Sequence, residues 1–128
     1  MTTLEDVTLA ELTALLRAGV PARGVRLTVR GLVVSHIERG PLDPREVNEA
    51  VEAMVRAACR LVRDAGASDE MVETVCRAAL EAVRGHGGES ARWVPEATRT
   101  ATAVLEELAR ESGGHVAWWW VAGRLSQW

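Results

Sequence analysis

With 128 residues and a formal net charge of −3, the chain has the length of one domain that buries roughly two thirds of the surface its unfolded form exposes. Its mild acidity argues against a protein built on many phosphate contacts to nucleic acid. It has no apolar run long enough to span a bilayer and no basic segment leading into an apolar leader, so the expectation is a cytoplasmic protein with no membrane partner.

All 15 basic side chains are Arg, and Lys, Phe and Tyr do not occur. Those missing residues share AT-rich codons, so the bias points to a GC-rich bacterial genome and carries no mechanistic meaning.

In chain order, the first expected element is a helix over 8–19. Thr8 and Glu11 make a capping box, Val7 and Leu12 a hydrophobic staple, and Gly19 with Val20-Pro21 the stop. Residues 22–39 are ambiguous. Arg26, Thr28 and Arg30 alternate with Leu27 and Val29 as in a half-buried strand, whereas Val25, Val29, Leu32, Val33, His36 and Ile37 also make a helical stripe. The β-branched content tips the reading to a strand.

Residues 43–112 read as a three-helix core, and its first helix is the clearest element of the chain. Val47, Ala50, Val51, Met54, Val55, Ala58, Leu61, Val62 and Ala65 form one apolar stripe. Asp43 caps it with Glu46 three residues on, Pro44 takes the first helical position, and Gly66 closes it. The opposite face, with Glu49, Glu52, Arg56, Arg60 and Arg63, reads as solvated charge. The three-residue link Gly66-Ala67-Ser68 makes the next helix an antiparallel neighbour with Met71, Val72, Val75, Cys76, Ala79, Leu80 and Val83 inward. After the loop at Gly85-His86-Gly87-Gly88, a further helix starts near Pro95, buries Ala97, Ala101, Val104, Leu105 and Leu108, and ends at Gly113-Gly114.

The Trp-rich segment 115–128 follows; residues 116–121 read as a strand able to pair with 26–37 and to offer an edge to a second copy, with a terminal helix as the alternative. The expected architecture is therefore mainly α in a single domain over 1–128, an antiparallel helical core with a small β element (α+β). An all-α helical bundle is the alternative.

Chemistry-bearing motifs are sparse. Cys59 and Cys76 lie at matching distances from the Gly66 turn, but packed helix axes about 8–10 Å apart are too far for a bridge that wants Cα atoms within about 7 Å. They read as small core residues. Cys and His show no paired spacing such as C-x-x-C, and His86 and His115 flank a helix about 27 Å long at 1.5 Å per residue, so no metal site is expected. There is no phosphate loop and no nucleophile beside a base, so no cofactor and no catalytic residue is assigned.

The tryptophans are the strongest signal. Trp118, Trp119 and Trp120 are consecutive, and three indoles of roughly 200 Å² each cannot all enter one small core. The leading expectation is a non-enzymatic accessory protein of a bacterial assembly, self-associating or docking on another protein through Trp118, Trp119, Trp120 and Trp128. The alternative is a small-molecule binder or small enzyme in which the tryptophans line an apolar pocket and Arg26, Arg30, His36 or His115 supply polar contacts. A DNA-binding regulator using the Arg17 to Arg30 run ranks third.

Overall fold

The computed structural model describes residues 2–41, 43–86 and 92–127. Among the described residues there are six helices: α1 (Leu4–Arg17), α2 (Ala22–Ile37), α3 (Pro44–Ala65), α4 (Asp69–Gly85), α5 (Val94–Glu111) and α6 (Val116–Leu125). No strand occurs among the described residues. The expected α+β fold is thereby overturned in favour of the all-α bundle, and with it the sheet edge offered to a second copy.

Both misread segments are helices, and burial decides each. In α2, Val25, Val29, Val33 and Ile37 fall four residues apart and are all buried, while Leu27, which a strand would place on the same face as Val29, is exposed. A β-branched residue gives up about 0.5 kcal/mol of helix propensity relative to Ala, whereas burying its side chain returns about 1.5–3 kcal/mol. In α6, Trp118, Val121, Ala122 and Leu125 are buried at helical spacing, and Val116 and Trp120, which would share Trp118's face of a strand, are exposed.

The first helix starts earlier than the sequence suggests. Thr3, not Thr8, is its N-cap: the Asp6 N–H donates to the Thr3 hydroxyl at 3.1 Å, and Asp6 accepts from the Thr3 N–H at 3.3 Å. Thr3 to Asp6 and Thr8 to Glu11 fit the same spacing rule. Thr8 instead lies inside the helix, fully buried, its hydroxyl donating to the Leu4 carbonyl at 2.8 Å. That internal bond is what lets a polar side chain enter the core without a desolvation penalty.

α3 occupies the centre and packs on α1, α2, α4 and α5. Asp43 accepts from the Arg45 N–H at 2.9 Å, and Gly66 ends the helix with φ 71°, a left-handed conformation that suits glycine. Ser68 holds the N-cap position of α4, although its side chain makes no capping hydrogen bond. α4 buries a wide apolar face because α2, α3, α5 and α6 all lie against it. Gly113 and Gly114, at φ 76° and 86°, turn the chain from α5 into α6. None of the described helices is long and apolar enough to cross a membrane.

Candidate functional site

The α3 face that reads as solvated charge ties helices together. Arg56 reaches Glu52 at 3.1 Å on its own helix and Glu107 of α5 at 3.3 Å, and Arg60 reaches Glu5 at 2.8 Å and Asp6 at 3.3 Å on α1. These carboxylates keep both guanidinium groups protonated beyond their ordinary range, although burial works against this at Arg56. Partners 51 to 55 residues distant leave no local sequence signature.

Beside this rank of arginines, α3, α5 and the start of α6 enclose a cleft. Its outer part, about 450 Å³, is lined by Val62, Arg63, Glu111, Ser112, His115 and Trp118. An inner recess of about 220 Å³ shares Arg63, Glu111 and Trp118 and adds Arg56, Arg60 and Cys59.

Trp118 lines both parts. Its side chain is buried at 2 % exposure, yet its indole Nε1 has no hydrogen-bond partner among the described residues. An indole N–H left unpaired in a core costs about 1–3 kcal/mol, and buried tryptophans ordinarily place this atom on an acceptor. The His115 ring stacks on Trp118 with centroids 4.2 Å apart, and its Nε2 lies 2.9 Å from Asp69 Oδ1 in the first turn of α4. Asp69 thus fixes the plane and the tautomer of a histidine that faces the cleft.

Cys59 lies in the recess but is a poor nucleophile there. Burial pushes its thiol up to about 12, with Arg63 working the other way. Complete burial raises the Cys76 thiol in the same direction, and both cysteines are free. The chemistry that remains is recognition: a buried N–H donor, a stacked pair of rings, and the Arg63 guanidinium at the mouth.

The other residues expected at a site are dispersed. Trp119 and Trp120 face outward, 37 % and 65 % exposed, with the Arg110 guanidinium 5.9 Å from the Trp119 ring. Trp128 lies outside the described residues. Arg26 is exposed on α2, and Arg30 lies over the last turn of α4, its Nη2 3.6 Å from where a Cβ on Gly85 would sit. His36 is at the far end of α2, next to Glu46. Of the four candidate polar contacts, only His115 meets a tryptophan. Asp69 was not anticipated: it is 46 residues from His115 in sequence, and its place at the start of α4 marks it only as a helix-terminal acid.

Comparison with protein-family models, curated proteins and solved structures gave no match to this chain.

Proposed function

We propose that the chain binds a small organic molecule in the cleft between α3, α5 and α6. The ligand pairs an apolar or aromatic body with a hydrogen-bond acceptor, a carboxylate being the best fit. The observation that carries this reading is the indole N–H of Trp118, buried without an acceptor among the described residues, on a side chain that lines a cleft large enough for a small ligand. A ligand acceptor would satisfy it, and Arg63, whose one ion pair among the described residues is to its neighbour Asp64 at 3.4 Å, would add charge. Arg56 and Arg60 are already committed to carboxylates, so they shape the recess and do not provide a second anion site.

The test is a thermal-shift screen of aromatic and aliphatic carboxylates, followed by calorimetric titration of the hits against wild type and Trp118→Phe. Phe keeps a ring in the wall and removes the N–H. Loss of one hydrogen bond to a charged group, worth about 1.5–3 kcal/mol, predicts about a 10- to 100-fold weaker Kd. If no carboxylate shifts the wild-type transition, or if Trp118→Phe binds as tightly, the reading fails.

A second reading rests on a different face of α6. Val116, Trp119 and Trp120 are exposed together at i, i+3 and i+4 spacing, and Trp and Arg are the residue types enriched at binding hot spots. A second copy of this chain, presenting the same three residues across a two-fold axis, would cover them. Trp120→Ala should then convert a dimer to a monomer in light scattering, while a wild-type monomer at high concentration ends this reading.

A further inference from the structure

The elbow between α2 and α3 gathers three metal-ligating side chains that the cleft at Trp118 does not use. His36 is in the last turn of α2, and Glu46 and Glu49 are one turn apart at the start of α3. One donor atom from each, an imidazole nitrogen and two carboxylate oxygens, lies within 4.8 Å of the others. The spacing that marks a metal motif within one helix cannot reveal such a set, because its ligands come from two helices joined by a bend.

Two observations separate this cluster from an ordinary surface ion pair. The first concerns His36, whose side chain is 12 % exposed. Its Nε2 is 2.8 Å from Glu46 Oε2, yet the nitrogen has no hydrogen bond among the described residues, so the carboxylate oxygen lies close to it but off the N–H direction. The second concerns Glu46. From its position in the sequence it should fold back onto the backbone N–H of Asp43 as the second half of a capping box. It turns instead toward His36, and the cap is made by Asp43 alone.

Close approach without a shared proton is compatible with two ligands to one ion. With metal–ligand bonds of about 2.1 Å, adjacent ligands of an octahedron are about 3.0 Å apart and those of a tetrahedron about 3.4 Å. The observed 2.8 Å, also an ordinary ion-pair distance, is short enough for the two atoms to be adjacent ligands of one ion. Two carboxylates with one imidazole suit a divalent first-row cation of intermediate softness, because carboxylates alone favour Mg²⁺ or Ca²⁺ and thiolates favour Zn²⁺.

The setting agrees in charge and in access. The three side chains open on a cleft of about 680 Å³ whose rim adds Asp43 and Arg39, so three carboxylates face one guanidinium. Three protein ligands leave half of an octahedron open to that cleft, for water or for an oxygen-donor ligand.

We propose that His36, Glu46 and Glu49 form a binding site for one octahedral divalent transition-metal ion of the Mn²⁺ or Fe²⁺ class. The full chain is titrated with MnCl₂, bound ion being read from loss of the aqueous Mn²⁺ EPR signal, and in parallel with MgCl₂ by calorimetry. The expected result is one Mn²⁺ per chain, with Mg²⁺ at least 10-fold weaker because it gains little from an imidazole. His36→Gln and Glu49→Gln should each weaken Mn²⁺ at least 10-fold. Glu49 is on the solvent side of α3, so its variant retains helicity by circular dichroism and keeps the test independent of folding. No Mn²⁺ bound at millimolar concentration, equal Mg²⁺ and Mn²⁺ affinity, or unchanged binding in Glu49→Gln overturns the proposal.

Discussion

Replacing Trp118 by Phe should change the stability of the free protein very little, although the side chain is almost wholly buried. Two terms of opposite sign set this outcome. Phe is smaller, and a residual cavity on the order of 40 Å³ at about 24 cal/mol per Å³ costs about 1 kcal/mol. Lost apolar contact adds about 1 kcal/mol. Against this, the substitution removes a buried N–H without an acceptor, a penalty of about 1–3 kcal/mol. The stacking with His115 survives in kind. The two sides offset, so Trp118→Phe should unfold within about 1 kcal/mol of wild type, whereas Trp118→Ala keeps none of the ring and should lose about 3–5 kcal/mol. Urea unfolding followed by far-UV circular dichroism measures this without relying on tryptophan fluorescence, which both variants alter. A Phe variant as unstable as the Ala variant would refute the reasoning, because the indole N–H would then be contributing to the fold.

Two further outcomes follow from the titrating groups. Hydrogen bonds from Thr3, first from its side chain and then from its backbone, together with Arg60, lower the Asp6 carboxyl below its usual range. Its stabilisation is therefore complete above the unfolded carboxyl value near about 3.9 and vanishes as pH falls through the lower folded value. The difference in thermal midpoint between wild type and Asp6→Asn should be largest at pH 6 and close to zero in strong acid; a difference independent of pH contradicts this. For the cysteines, burial that raises both thiols predicts negligible reaction with a thiol reagent at pH 8 until urea exposes both, and a native-state thiol reacting on mixing would show the site to be open.

The helical core was legible because its signals are local and agree with one another. Asp43, Pro44, the apolar stripe and Gly66 all specify one helix, and no tertiary information is needed to read them. Residues 22–39 and 116–125 were misread where local preference and tertiary burial disagree. Val29 and Val33 favour strands intrinsically, but a four-residue ridge buried against α4 outweighs that preference. Thr3 and Thr8 show a different limit: both satisfy the capping-box spacing. The earlier one prevails in a helix whose Glu5 and Asp6 reach Arg60 of α3, a contact with no trace in the local pattern. The tryptophan run was recognised as the unusual feature. Which indole turns inward depends on the helical phase of α6, so Trp118 could not be separated from Trp119 and Trp120 beforehand. The same holds for Asp69 with His115 and for His36 with Glu46, pairs made only by the way helices meet.

The position of α6 has a consequence for how the Trp118 cleft is reached. Its backbone approaches only α4 and α5, whereas α3 is surrounded by four neighbours. Ten residues held by Trp118, Val121, Ala122 and Leu125 can detach while the other five helices keep their mutual contacts. Such a segment opens far more often than the whole molecule unfolds. In amide hydrogen exchange, residues 118–125 should therefore take up deuterium well before 50–61. A molecule entering the cleft would use the same opening, and once bound it should slow exchange in α6 before it slows exchange anywhere else.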